Sequence, residues 1–281
     1  MINALNKKAH FLKQAIQYAK NKLSAQETRW LLEDITRCPY QALLTQHDIS
    51  LTKDHYQLFC KAVDQITSGE PFDYVLGYSI FRDKKFDVSP AVLIPRPETE
   101  TLIDTAKDRI ASLRSPNILE MGTGSGIIAI SLACEIPDAQ ITATDICHDT
   151  LAIAQQNAKN HDVNIHFCHS RWFDQIQGYY DLIISNPPYI AENDPHLDNL
   201  YSEPVIALTS GPSGLDAISE IITCAKHHLK EGGWLWFEHG FDQAEKSTQL
   251  LQDAGYQHIE SVIDNFGNPR VSGAQLITNK K

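Results

Sequence analysis

The residues best suited to do chemistry are Asn186-Pro187-Pro188-Tyr189, which follow the apolar run Leu182-Ile183-Ile184. A residue before proline is pushed into an extended conformation, and this fixes Asn186. The two prolines lock φ and supply carbonyls without competing N–H donors. The Asn186 side-chain oxygen and the Pro187 carbonyl can therefore act as two fixed acceptors, and Tyr189 offers a flat face to a planar group. Two acceptors and a stacking surface suit an –NH2 group on a planar system, whose lone pair is delocalised and poorly nucleophilic. Accepting both its hydrogens aims the remaining lobe at an electrophile and favours the charge that builds during attack. A nicotinamide enzyme has no need of this arrangement; methyl transfer from a sulfonium does. The plain alternative is a rigid Pro-Pro loop without catalytic meaning.

The second cluster is the turn Glu120-Met121-Gly122-Thr123-Gly124-Ser125-Gly126. Glycines there permit positive φ and close approach of a ligand to the backbone. Nineteen residues after Gly126 stands Asp145, where a carboxylate can accept from both hydroxyls of a ribose. The pair indicates a nucleoside ligand without choosing one. Gly124-Ser125-Gly126-Ile127-Ile128-Ala129 also fits the dinucleotide pattern G-x-G-x-x-A, which leaves a dehydrogenase open at this point, and so does a tight turn that binds nothing.

These clusters need a frame that brings them together. Strands are predicted at 118–121, 140–144, 165–168, 180–185 and 234–238, with helices near 126–134, 150–160 and 215–230. Such alternation means a parallel sheet covered on both faces, with ligands beyond the carboxyl ends of its strands. After a helix near 242–254, the segments 258–264 and 270–278 have no helix between them and read as an antiparallel hairpin at the sheet edge. The first seventy or so residues read as helices only. One, near 7–20, carries Ala9, Leu12, Ile16 and Ala19 at helical spacing. The next opens with the capping-box pattern Ser24-Ala25-Gln26-Glu27 and carries Leu31, Leu32 and Ile35. A third, near 53–67, places Tyr56, Phe59, Val63 and Ile66 on one face before Gly69-Glu70-Pro71 ends it. Between the two regions, 78–81 and 85–88 flank Arg82-Asp83-Lys84 as a β-hairpin, and Pro97 opens a helix as its first residue.

Composition narrows the partners. The chain has 281 residues, 42% of them hydrophobic, and a net charge of −11. An acidic balance without Lys/Arg clusters disfavours a protein that grips phosphate backbones. No apolar run is long enough to span a bilayer, and the first residues lack a signal core. The six cysteines are scattered without metal-type pairs, so a reduced, cytoplasmic protein without a metal site is expected.

Gly122 to Gly126, Asp145 and Asn186-Pro187-Pro188-Tyr189 resemble class I methyltransferases that act on amino groups. The resemblance is closer to one branch, the peptide chain release factor glutamine methyltransferases (PrmC/HemK type). It extends to Gly69-Glu70-Pro71, Leu93-Ile94-Pro95-Arg96-Pro97-Glu98-Thr99-Glu100, Arg171-Trp172-Phe173, Ile190, Asp194-Pro195-His196, Glu203-Pro204 and Glu238-His239-Gly240. It implies transfer of a methyl group from S-adenosyl-L-methionine to the side-chain nitrogen of the glutamine in the Gly-Gly-Gln tripeptide of class 1 release factors. An amino-methyltransferase of DNA or RNA is the alternative, since adenine's exocyclic amine suits the same tetrapeptide.

The resemblance assigns Gly122, Thr123, Gly124, Ser125, Gly126, Asp145, Trp172 and Asn186 to the cofactor. Asn186, Pro187, Pro188 and Tyr189 fall to the substrate, with Asn186, Pro187 and Tyr189 catalytic. It implies a Rossmann-like, mostly parallel seven-stranded sheet whose last strand is antiparallel, preceded by a small helical domain. The expected division is a substrate-recognition domain at 1–72, a linker with the hairpin at 73–96 and a catalytic domain at 97–281, acting as a monomer. The chain departs from the family pattern in two places. Glu120-Met121 stands where Asp-Leu is usual, and Arg171 where an acid is usual. Trp172 and Phe173 are explained as well by core packing, and Glu238-His239 by a structural or loop-ordering role.

Overall fold

The structure, a computed structural model, describes residues 2–45 and 51–277. Its contacts divide the chain into two compact units, Met1–Gly77 and Tyr78–Lys281.

The first unit is helical: α1 (Ile2–Ala19), α2 (Ala25–Thr36), α3 (Tyr40–Thr45), α4 (Lys53–Thr67) and α5 (Phe72–Leu76). The capping box at α2 forms as expected, with Ser24 Oγ accepting from the Glu27 amide and Glu27 accepting from the Ser24 amide. Thr52 caps α4, its hydroxyl accepting from the His55 amide. Ala15, Ala19, Leu31, Leu32, Phe59 and Val63 form this unit's own core, with Leu12, Ile16, Tyr56 and Ile66 packed around it. The short helices α3 and α5 carry too few residues for a periodic signal and are new relative to the sequence reading.

The second unit starts with the hairpin β1 (Tyr78–Phe81) and β2 (Lys84–Asp87), joined by Arg82-Asp83 at φ 49° and 58°. A two-residue turn with both central residues at positive φ matches the right-handed twist of the strands. It also starts β2 one residue earlier than expected. Next comes α6 (Thr99–Ile110). Pro97 lies before it: the Thr99 and Glu100 amides bond back three residues, to Arg96 and Pro97, so a tight turn leads in and the helix begins at Thr99.

The remaining elements are β3 (Asn117–Met121), α7 (Ile127–Glu135), β4 (Gln140–Asp145), α8 (His148–Asn160), β5 (His166–His169), β6 (Tyr180–Ser185), α9 (Asp216–Ala225), β7 (Leu229–Glu238), α10 (Ala244–Asp253), β8 (Gln257–Ile263) and β9 (Pro269–Gln275). The seven-stranded sheet has the order β5-β4-β3-β6-β7-β9-β8. Pairing is parallel from β5 to β7, and β9 is antiparallel to both β7 and β8. The expected final hairpin therefore forms, with its second strand inserted beside β7 and its first at the edge. Thr278, the expected end of that strand, lies outside the described residues. Gly273 makes the insertion possible, because a Cβ there would sit 2.2 Å from the buried Trp236 ring on β7.

β3 and β6 are neighbours although α7, β4, α8 and β5 separate them in sequence. This reversal of strand order opens a crevice at their carboxyl ends, where ligands of such sheets bind. One face of the sheet is covered by Leu102, Ile103 and Ala106 of α6 and Ile128 and Leu132 of α7, joined by Phe81 and Phe86 of the hairpin. The other is covered by Ile218, Ile221 and Ile222 of α9 and Leu251 of α10. No described helix is long and apolar enough to cross a membrane.

Candidate active site

The carboxyl end of β3 runs into the glycine turn. Gly126 ends that turn at φ 87°, and a Cβ there would come within 2.8 Å of Ile130 on the first turn of α7. The backbone conformation thus favours glycine, and a side chain there would also displace the end of the Ile130 side chain. The Gly124 amide donates to Asp145 Oδ2 at 3.1 Å, and the Cys147 amide to Oδ1 at 3.0 Å. Asp145 therefore holds the turn to the end of β4 while each oxygen keeps a lone pair for a ligand. Burial pushes its carboxyl above the ordinary value, and the bonds from the Cys147 and Gly124 amides oppose that rise.

A cavity of about 560 Å3 opens here, within the range of small-molecule sites. Gly122, Thr123, Gly124, Ser125, Asp145, Trp172, Asn186 and Pro188 lie on its wall; Gly126 does not, and acts through the turn. Trp172, at φ 44°, lines the cavity and also packs against the core under α9. Arg171, standing where an acid is usual, pairs with Glu220 of α9 at 2.6 Å, and both line the wall.

Glu120 is fully buried. Its Oε2 accepts from the Thr123 hydroxyl at 2.7 Å and the Ala129 amide at 3.1 Å, while Oε1 has no partner among the described residues. Burial pushes its carboxyl up to about 8. A carboxyl oxygen on the cavity wall without a partner among the described residues, a second carboxyl group at the end of β4 and an aromatic face together fit a nucleoside that carries a cationic end, whose charge would favour the ionised form of Glu120.

A second cavity, of about 80 Å3, is lined by Leu93, Arg96, Asn186, Pro187, Tyr189 and Leu208 among others. Asn186 belongs to both cavities, Pro188 to the larger and Pro187 and Tyr189 to the smaller. The Asn186 amide nitrogen donates to Thr99 Oγ1 at 3.2 Å, and Thr99 donates to Glu238 Oε2 at 2.7 Å. The Tyr189 hydroxyl donates to Glu238 Oε1 at 3.1 Å. Burial and the nearby Glu238 charge raise the Tyr189 phenol, which stays protonated. His239, just past the end of β7, turns to the Ser272 hydroxyl and the Gly240 carbonyl, each 2.8 Å away.

The wall on the other side is a clamp. Glu203, 6% exposed, accepts from the Ile94 amide at 3.1 Å and pairs with Arg96. Thr99 and the pairing of Glu203 were not visible in sequence, since each acts on a residue about a hundred positions away and no local pattern marks such contacts.

Residues 79–255 match the model of the methyltransferase small domain, and residues 3–77 that of the PrmC N-terminal domain. The release factor glutamine methyltransferase of Vibrio cholerae is 38% identical over 271 residues, covering 95% of this chain and 94% of that protein. Its counterpart in Coxiella burnetii is 39% identical over 247 residues, covering 87% and 89%. The chain belongs to the release factor glutamine methyltransferase family. Its fold is shared more widely. A methyltransferase from Pyrococcus furiosus superposes with a TM-score of 0.51 at 18% identity, over 68% of this chain and 87% of that one. The 16S rRNA N2 G1207 methyltransferase of Thermus thermophilus gives 0.53 at 15% identity, over 70% and 49%. Members of this family are methyltransferases, and residues 79–255, which match the methyltransferase model, include the glycine turn and the Asn186-Pro187-Pro188-Tyr189 corner.

Proposed function

We propose that this chain transfers the methyl group of S-adenosyl-L-methionine to the side-chain nitrogen of the glutamine in the Gly-Gly-Gln tripeptide of a peptide chain release factor. The observation that carries the reading is the meeting of two cavities at Asn186, one of nucleoside size and one of about 80 Å3, room for a carboxamide. The relatives named for this activity support it across nearly their whole length.

Asp145 is assigned to the ribose hydroxyls, Trp172 to the adenine face, and the turn from Gly122 to Ser125 with the orphaned Glu120 Oε1 to the methionine end. The cofactor supplies an electrophilic methyl carbon on a sulfonium. Asn186 Oδ1 and the Pro187 carbonyl accept the two hydrogens of the substrate amide, and Tyr189 holds its plane. As the nitrogen–carbon bond forms and the carbon–sulfur bond breaks, charge on nitrogen strengthens both hydrogen bonds, so they count for more in the transition state than before it. The nitrogen then loses one proton to solvent. No strong base is required, in keeping with the placement of His239 away from both cavities.

The same reading assigns release factor recognition to the helical unit, a cytoplasmic location and action as a monomer. The net charge of −11 supports a protein rather than a nucleic-acid partner. Incubation with labelled methyl donor and purified release factor, followed by peptide mass mapping, tests it. Label on the Gly-Gly-Gln glutamine is expected; label on nucleic acid alone, or on no protein, would overturn it.

A further inference from the structure

Asn186 can present either end of its carboxamide to the substrate, and the two ends are nearly the same size. Only the oxygen can accept a hydrogen from an amide nitrogen. Something must therefore fix which way the group faces, and the answer lies in the chain of bonds behind it.

Glu238 ends β7, 1% exposed, with one oxygen toward Thr99 and the other toward Tyr189. An ionised carboxylate can only accept. Thr99 must then spend its single proton on Glu238 and can offer only lone pairs to Asn186. Asn186 must answer with its –NH2, as it does at 3.2 Å, and its oxygen is left facing the cavities.

We propose that Glu238 is a positioning residue: by accepting from Thr99 and Tyr189 together, it sets the direction of the hydrogen-bond chain so that Asn186 presents only its oxygen to the substrate amide. This deepens the proposed glutamine methylation and rests on it. Burial pushes the Glu238 carboxyl up to about 7, while the bonds from Thr99 and Tyr189 favour the ionised form.

Glu238→Gln keeps size and both contacts, yet it reverses the chain. The new –NH2 can face Tyr189 or Thr99. Facing Tyr189, it would leave the phenol proton with no acceptor, since Glu238 is that hydroxyl's sole partner among the described residues. Facing Thr99, every group is satisfied, and a buried hydroxyl without a partner is costly. Thr99 then turns its proton to Asn186, whose carboxamide flips and puts –NH2 toward the substrate. Asn186→Asp has the opposite fault. Two carboxylates, at positions 186 and 238, would compete for one Thr99 proton. Combined, the two changes agree: the carboxamide at position 238 donates to Thr99, Thr99 donates to the carboxylate at position 186, and the far oxygen of that carboxylate is again an acceptor.

Wild type, Glu238→Gln, Asn186→Asp, the double variant and Thr99→Val are compared in single-turnover reactions at saturating donor, with donor affinity measured by calorimetry. Each single variant should lose roughly tenfold or more in turnover, with donor affinity of Glu238→Gln and Thr99→Val within about threefold of wild type, and the double should recover to within about fivefold, a coupling between residues of one hydrogen-bond network. A double variant whose loss is the product of the single losses would overturn the inference, as would Glu238→Gln turning over like wild type. If Glu238→Gln does not fold by circular dichroism, Thr99→Val decides: wild-type turnover there removes the chain from catalysis. Wild type that fails to methylate glutamine sinks the underlying function instead, so the two failures are distinct.

Discussion

Arg96 and Glu203 join two walls of the larger cavity that lie more than a hundred residues apart in sequence. Glu203 is buried and its other oxygen is taken by the Ile94 amide, so Arg96 neutralises a charge that water cannot reach. Removing one partner of such a pair leaves a buried charge uncompensated. Arg96→Ala should lower the unfolding free energy by about 1–3 kcal/mol. A lysine there should recover only part of the loss, because an ammonium lacks the planar fork. Urea titration of the intact chain measures this, and an unchanged midpoint would mean the clamp adds nothing.

Asp145→Ala removes the acceptor for the Gly124 and Cys147 amides as well as the assigned ribose contact. Donor binding by calorimetry should weaken by at least ~1.5 kcal/mol. Equal affinity in a folded variant would detach Asp145 from the ribose.

Glu120 sets a dependence of stability on pH. Its carboxyl titrates at about 8 in the folded chain against 4.5 ordinarily, chiefly through burial. A raised folded value stabilises fully below pH 4.5, and that contribution is lost as pH rises through 8. Glu120→Gln, neutral throughout, should match wild type in acid and melt roughly 5 °C or more higher near pH 9. Its oxygen can take the place of Oε2 against Thr123 and Ala129. Scanning calorimetry across this range checks the difference, and parallel curves for the two proteins would refute it.

Removing residues 1–77 takes away one unit with its own core and leaves the other from Tyr78 onward. Donor affinity should be unchanged, while methylation of intact release factor should be abolished. A folded truncated enzyme that modifies the factor at full rate would give the helical unit another task.

Elements with strong local patterns were legible before the structure: α4 through its apolar face, α2 through Ser24 and Glu27, and the β-α alternation from Asn117 on. The glycine turn, Asp145 and Asn186 were legible because each carries its chemistry in a short motif at a strand end. Thr99 was not. Its hydroxyl matters only because α6 begins two residues after Pro97 and delivers it between Asn186 and Glu238. Glu238 was legible as the end of a strand, but its burial and what it touches depend on the packing of segments remote in sequence. The start of α6 was missed because Pro97 serves the lead-in turn as well as it would a first helical position.

Asn157 on α8 is fully buried, and among the described residues its side chain bonds only to backbone. It accepts from the Asp87 amide at 2.7 Å and donates to the Asp87 carbonyl at 2.9 Å and the Ser125 carbonyl at 2.8 Å. One carboxamide thus ties strand β2 of the hairpin to the glycine turn. Local opening in proteins proceeds by cooperative groups of residues, and a shared buried bond puts its two ends in the same group. Amide exchange at Asp87 and around the glycine turn should therefore rise and fall together. The rigidity of the donor cavity's floor is set in part by a two-stranded hairpin that carries none of its lining.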